Sequence, residues 1–224
     1  MIVSIHQPQY IPWIPYFLKI KKSDIFVLLD NVAYQKNGIQ NRNQIKGANG
    51  PIWLTVPVNK KLGQLISTIK ISNDTQWQTK HINSIKNSYS STNYYSDFIE
   101  GFIKIYKKDF TYLADLNIEI IKYILLYLDI KTTVIKASEL NLSEKGSDLI
   151  LQICRNLKAS KYISGVGGKE YLREIDFTAS NIEIEYKEWQ SKNEYKQNFN
   201  KIGFVHGLSS IDYIFNCGNN IDLY

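Results

Sequence analysis

The chain has 224 residues, a formal net charge of +6, 44% hydrophobic and 21% charged residues, values of an ordinary globular domain with a core of its own. Its lysines stand in short runs such as Lys60-Lys61 and Lys107-Lys108, so no basic block marks a nucleic-acid track, and the surplus charge suits an anionic small substrate such as a nucleotide sugar. Two cysteines, Cys154 and Cys217, make neither a disulfide framework nor a zinc-spaced cluster. No basic-then-apolar leader opens the chain, and the longest apolar stretch, Ile118 to Leu128, is short and interrupted by Glu119 and Lys122. A soluble, cytoplasmic protein with no DNA or membrane partner and no metal ligands is expected.

The opening stretch, Ile2 to Arg42, carries the densest signal. Ile2-Val3-Ser4-Ile5 is brief and β-branched, as a buried strand should be. Pro8 and Pro12 interrupt the backbone of the next segment, His6-Gln7-Pro8-Gln9-Tyr10-Ile11-Pro12-Trp13. Pro15 to Lys22 reads as a helix, and Trp13, Tyr16 and Phe17 read first as core. Ile25 to Leu29 forms a second strand ending at Asp30. Ligands of open α/β sheets collect outside the carboxyl ends of strands, so His6 and Asp30 are expected at one crevice, at the ends of neighbouring parallel strands. Tyr34 to Asn43, with Lys36, Asn41 and Arg42, reads as a functional loop.

Gly47 to Pro51 reads as a turn, Trp53 to Val58 as a third strand, and Ile66 to Ile71 as a half-exposed strand. Asn73, Asp74 and Thr75 offer caps for a helix carrying Trp77, His81, Ile85 and Tyr89 on one face. His81 is a candidate second acid/base on this helix, or a histidine at the rim of the core. Two apolar-periodic helices follow, around Phe98 to Tyr106 and Leu113 to Leu128. Together these helices make an insert over about 73–130 within a single domain of 1–224. Thr132 to Ile135 reads as a strand and Ser143 to Leu157 as a helix capped by Ser143, with Cys154 a buried filler. Lys161 to Leu172 reads as a strand, a glycine-rich turn and a helix whose start, with Lys169, suits a phosphate. Ile182 to Tyr186 is the last strand. Trp189 to Phe199 reads as a loop over the crevice, and Leu208 to Gly218 as a short helix ended by glycine. Strands alternating with helices predict an α/β, Rossmann-like, mainly parallel sheet flanked by helices.

His6-Gln7-Pro8-Gln9-Tyr10-Ile11-Pro12-Trp13, Asn41-Arg42-Asn43, Trp53 to Val58, Trp77-x-x-Lys80-His81, Ser164-Gly165-x-Gly167-Gly168-Lys169 and Leu208-Ser209-x-Ile211-Asp212 resemble the signature of the WbqC-like proteins. Pro15 stands where that family usually has glycine. The resemblance runs along nearly the whole chain. It implies a cytoplasmic step in bacterial surface-polysaccharide (O-antigen, lipopolysaccharide) synthesis, with transfer of an acyl or aminoacyl group, for example glycyl, to the amine of a nucleotide-linked aminodeoxy sugar. On that reading His6, with His81 second, is the base, and Asp30 orients a histidine or the substrate ammonium. Lys36, Asn41 and Arg42 hold an oxyanion or phosphate. Ser164, Gly165, Gly168 and Lys169 bind the phosphate-bearing partner, and Gln7, Tyr10, Trp13 and Tyr171 complete the substrate contacts. The donor would be a carrier-bound thioester, an aminoacyl-tRNA, or an adenylate made from ATP with magnesium. An ATP-dependent ligase or nucleotidyltransferase is a second reading, although the opening lacks an H-x-G-H arrangement. A non-catalytic nucleotide-sugar-binding protein is a third.

Overall fold

The computed structural model describes residues 1–73, 75–189, 194–221 and 224. In chain order its elements are β1 (Ile2–His6), α1 (Ile14–Lys21), β2 (Ile25–Leu28), β3 (Arg42–Gly47), β4 (Gly50–Thr55), β5 (Val58–Asn59), β6 (Lys70–Ile71), α2 (Trp77–Tyr89), α3 (Tyr95–Tyr106), α4 (Leu113–Tyr127), β7 (Thr133–Lys136), α5 (Gly146–Asn156), β8 (Lys161–Gly165), α6 (Glu174–Thr178), β9 (Glu183–Lys187) and α7 (Ser210–Cys217). The chain forms two compact units. The first takes Met1–Pro8, Pro15–Val32 and Ile130–Gln190; the second takes Gln9–Ile14, Ala33–Asp129 and Ser191–Tyr224.

The first unit is built on a five-stranded sheet in the order β7-β2-β1-β8-β9, with every neighbouring pair parallel. Counted by their own sequence, these strands stand 3-2-1-4-5. That is the order of doubly wound α/β sheets, in which the winding reverses between strands 1 and 4. The Rossmann-like α/β expectation therefore holds. Parallel strands are covered on both faces and so need apolar side chains on both. Val3, Ile5 and Val27 join Leu149, Ile150, Ile153 and Cys154 of α5 and Phe177 of α6 in one apolar cluster. On the opposite face Tyr16 of α1 packs against Phe26, ring centroids 5.2 Å apart, and the hydroxyls of Ser4 and Ser23 meet at 2.5 Å. The edge strand β9 is more polar, and its Glu183 pairs with Lys161 at 3.1 Å.

The second unit holds the β3–β4 hairpin, the short β5–β6 pair and helices α2, α3, α4 and α7. Aromatic rings knit its helices. Phe98 of α3 lies 4.8 Å from Tyr123 and 5.0 Å from Tyr127 of α4. Gly101 permits that approach, because a Cβ there would fall 2.5 Å from the Tyr123 ring.

Several local expectations are corrected. The functional loop expected as far as Asn43 gives way one residue earlier to a strand, Arg42–Gly47. Its polar sequence hides this, because the pairing comes from β4 and its side chains find partners one by one: Asn43 Nδ2 donates to the Ile11 carbonyl at 2.7 Å and Lys46 Nζ to the Gly203 carbonyl at 2.6 Å. The strand expected over Trp53 to Val58 breaks into β4 and β5 around Pro57, which has no N–H for a ladder. Ile66–Thr68 is a 3-10 turn, so only Lys70–Ile71 of the expected strand pairs. Asp74 lies outside the described residues, and α2 and α5 start after Gln76 and Lys145 with no side-chain cap, so Ser143 does not cap. The residues after β8 form a five-residue 3-10 turn, Val166–Glu170, in place of the expected helix; Gly167 and Gly168 are poor helix formers.

Candidate functional site

β1 and β8 lie side by side, and the sheet's winding reverses between them. Their carboxyl ends carry His6 and Ser164-Gly165. A cavity of about 350 Å³ opens there, lined by Gln7, Lys19, Gly168 and Tyr171 besides those three residues, with Ile5, Leu29, Ile150, Tyr162 and Gly167. Every lining residue belongs to the first unit. Six residues singled out in the sequence thus meet: His6 and Gln7 from the first motif, Ser164, Gly165, Gly168 and Tyr171 from the glycine-rich one. No carboxylate lines this cavity.

Electrostatics follow from burial. The His6 imidazole is tilted against the Tyr16 ring, centroids 5.2 Å apart. Burial, reinforced by the neighbouring Lys19 charge, pulls its pKa from 6.5 down to about 3, so it is neutral at physiological pH. Lys19 itself is only 5% exposed. Its Nζ donates to the Ile5 carbonyl at 2.8 Å, and burial brings its pKa down from 10.5 to about 7. Sequence reading missed Lys19. The one available signal is a lysine set between Phe17 and Ile20 in an otherwise apolar helix face, which is hard to tell from a solvated charge. Cys154, behind the cavity in α5, is a filler whose thiol burial pushes up to about 12.

Gly168 is required by space. A Cβ there would fall 2.1 Å from Ser164 Oγ and 3.0 Å from Leu172 Cδ1. Ser164 Oγ already donates to the Gly165 carbonyl at 3.0 Å. Gly168→Ala is therefore expected to lower stability by about 1–3 kcal/mol through overpacking, read as an earlier midpoint in urea unfolding; an unmoved midpoint would show that the turn gives way freely.

The remaining predicted residues lie elsewhere. Asp30 lies two residues past the end of β2, and its carboxylate accepts from Ser138 N at 2.9 Å and Ser138 Oγ at 2.7 Å. Lys169 lies with its Nζ 5.3 Å from the Tyr186 ring centre. Tyr10, Trp13, Lys36, Asn41, Arg42 and His81 belong to the second unit. Asn41 is buried, donating to the Val56 carbonyl at 2.9 Å and accepting from Tyr34 Oη at 2.8 Å. Arg42 donates to the Asn37 carbonyl at 2.6 Å and covers the Trp53 ring at 4.5 Å. Lys36 is exposed and Trp13 half-buried. Residues 190–193 of the loop expected over the crevice lie outside the described residues; farther along it, Tyr195 Oη donates to Asp212 Oδ2 at 2.6 Å.

His81 is a buried ring within the second unit. Its Nδ1 lies 2.7 Å from Tyr10 Oη, which also meets Tyr106 Oη, and the ring donates to the Thr55 carbonyl. Burial, opposed in part by that carbonyl, brings its pKa from 6.5 to about 4. The unfolded chain thus binds more protons than the folded one between pH 6.5 and about 4. The stability that the neutral ring contributes is complete above 6.5 and lost as pH falls through that window, on the order of 3 kcal/mol. His6 adds a loss of the same sign down to about pH 3. Thermal unfolding between pH 7 and 4 is expected to show a steep fall in Tm, shallower in His81→Gln; equal slopes would exclude His81 as its source.

Among the described residues, no group of three His, Cys, Asp or Glu is arranged to hold a metal ion, and no helix is long and apolar enough to cross a membrane. Fold and cavity together define a Rossmann-like α/β protein with a cavity at its switch point. The profile of the WbqC-like protein family matches residues 7–222, and the chain belongs to that family. It is 30% identical over 219 residues, 96% of this chain and 94% of the relative, to the uncharacterized protein Rv1507c of Mycobacterium tuberculosis (strain ATCC 25618 / H37Rv). No solved structure matches it.

Proposed function

We propose that the protein is an N-acyl or aminoacyl transferase, forming an amide on the amino group of a nucleotide-linked aminodeoxy sugar. Bacterial surface-polysaccharide synthesis is the setting expected from the family resemblance. The observation that carries the reading is the cavity between the ends of β1 and β8. It gathers His6, Gln7, Ser164, Gly165 and Gly168 around a buried lysine with no carboxylate in its lining. Such a lining favours an anionic ligand, and the switch point is where doubly wound sheets bind nucleotides. The neutral His6 ring accepts a hydrogen bond from the nucleophilic amine and relays its proton. Ser164 and the backbone around Gly165 and Gly168 meet the diphosphate, and Lys169, outside the lining, adds positive charge to that turn. Asp30 acts as a positioning residue, fixing the end of β2 through Ser138. His81 and the second-unit motif residues Tyr10, Asn41 and Arg42 support the framework of their own unit.

The test is to incubate purified protein with dTDP-4-amino-4,6-dideoxyglucose, glycine, ATP and magnesium, omitting each in turn, and to weigh the products. A glycyl-sugar that needs ATP defines a ligase. The same product made only from a charged carrier or tRNA defines a transferase. Binding of the sugar nucleotide with no product from any donor would overturn the catalytic reading in favour of a binding protein.

A further inference from the structure

We propose that Lys19 is the group that finally takes the proton of the reacting amine, an inference that rests on the acyl-transfer reading of the same cavity. Helix α1 brings this side chain to the cavity wall, one residue away in contact from His6: its Nζ donates to the carbonyl of Ile5 at 2.8 Å. An ammonium has three donors, so that single carbonyl leaves two positions on the nitrogen for whatever enters. A lysine buried to this degree is ordinarily paired with a carboxylate. Among the described residues Lys19 forms no ion pair, and the cavity lining holds no acid.

The groups around it are all neutral near pH 7. From β1 comes His6, held unprotonated by burial. From α1 itself comes Tyr16, from β8 Tyr162, and from the turn beyond β8 Tyr171, each with its phenol pushed up by burial. From the end of β2 comes Leu29 and from α5 Ile150, both apolar. Nothing therefore fixes Lys19 as a permanent cation. Burial lowers it to about 7, so near neutral pH a large share is free amine, the form that accepts a proton. General bases work best when they titrate near the operating pH, and desolvated lysines serve in this way. His6, with its far lower pKa, passes a proton on but does not keep it.

The step balances as follows. The substrate amine adds to the carbonyl carbon of an acyl thioester or ester, forming the C–N bond and placing negative charge on the carbonyl oxygen. The nitrogen, now positive, loses one proton through His6 to Lys19 Nζ. The intermediate collapses, the C–S or C–O bond breaks, and the proton returns from the Lys19 ammonium through His6 to the departing thiolate or alkoxide, which restores the imidazole's first tautomer. Amine and activated acyl group become amide and free thiol or alcohol, with Lys19 returned to its neutral form.

Two measurements test this. Competitive acetic anhydride labelling across pH, read by peptide mass spectrometry, should show Lys19 reacting half-maximally near pH 7 while exposed lysines do so near pH 10. In the amide-forming assay, Lys19→Met and Lys19→Arg should each lose about 10²–10⁴-fold in kcat/KM. Arginine keeps the charge but does not give up its proton, so its failure separates a base from a mere cation. Lys19→Met keeps the buried methylenes and should unfold at or above the wild-type temperature. Wild-type kcat/KM should fall below pH 7, and that limb should be absent from the residual activity of Lys19→Met. Half-labelling of Lys19 near pH 10, or an active Lys19→Arg, would overturn the role of Lys19 alone. A wild-type protein that makes no amide from any donor would overturn the acyl-transfer reading, and the proton's role with it.

Discussion

His6→Ala is expected to lower kcat/KM for amide formation by about 10²–10⁴-fold while leaving the melting temperature near that of the wild type. The ring stands at the carboxyl end of the central strand, at the reversal of the sheet's winding, and lines the cavity where residues of the two sequence motifs meet. Its removal deletes a neutral acceptor from the amine's path and opens space beside Tyr16. Because burial keeps the imidazole uncharged, its loss does not strip the fold of an ion pair. The informative comparison is turnover against affinity. Calorimetry with the sugar nucleotide should show binding weakened no more than for any other contact residue, whereas turnover collapses. Loss of affinity and of kcat/KM by the same factor would make His6 a binding contact and not the base.

Asp212→Ala is expected to be the most damaging single substitution in the second unit. The carboxylate is fully buried in α7. It accepts from Tyr89 Oη at 2.8 Å and from Tyr195 Oη at 2.6 Å, and Tyr89 Oη in turn accepts the Lys46 N–H of β3 at 2.8 Å. Burial raises the carboxyl's pKa above its ordinary value, against the two tyrosine hydrogen bonds and the Lys46 charge. One residue of the closing motif thus joins α7, β3, α2 and the segment around Tyr195. Alanine leaves the buried Tyr89 hydroxyl and the part-buried Tyr195 hydroxyl without this acceptor, a loss of about 3–5 kcal/mol, which in a chain of this size lowers Tm by roughly 6–20 °C. Asp212→Asn, which keeps one acceptor, should lose markedly less. Unfolding of Asp212→Ala at the wild-type temperature would show that the network is slack.

The sheet was legible because its strands obey simple rules. Ile2 to Ile5 and Ile25 to Leu28 are short apolar runs, and Lys161 to Gly165 ends at a glycine with two more close behind, so strand ends and the crevice beside them follow from the residues. The cavity was half legible for the same reason: His6 and Ser164-Gly165 are the first polar residues after such runs. What stayed hidden depends on partners distant in sequence. Asn41, Arg42 and Asp30 look like ligand groups, yet their hydrogen bonds go to Val56, Asn37 and Ser138. Arg42–Gly47 pairs as a strand without alternation because β4 dictates it. Lys19 is indistinguishable in sequence from Lys21, two residues on, which is exposed; only the helix's rotation over the sheet separates them. Ile11, a β-branched residue at φ +43°, is also unreadable from sequence, its carbonyl held by Asn43.

The parallel pairing of β1 with β8 has a consequence for how the chain is made. Ile2, Val3 and Ser4 find their partners only at Lys161, Tyr162 and Ile163. At ribosomal rates of about 5–20 residues per second, the first strand waits on the order of ten seconds or longer before its neighbour exists. Until then β2 covers one edge of this apolar strand and the other stands open. Newly made chains should accordingly lean on chaperones through most of their synthesis, and the cavity comes into being among the last features of the first unit, when β8 closes the sheet's centre.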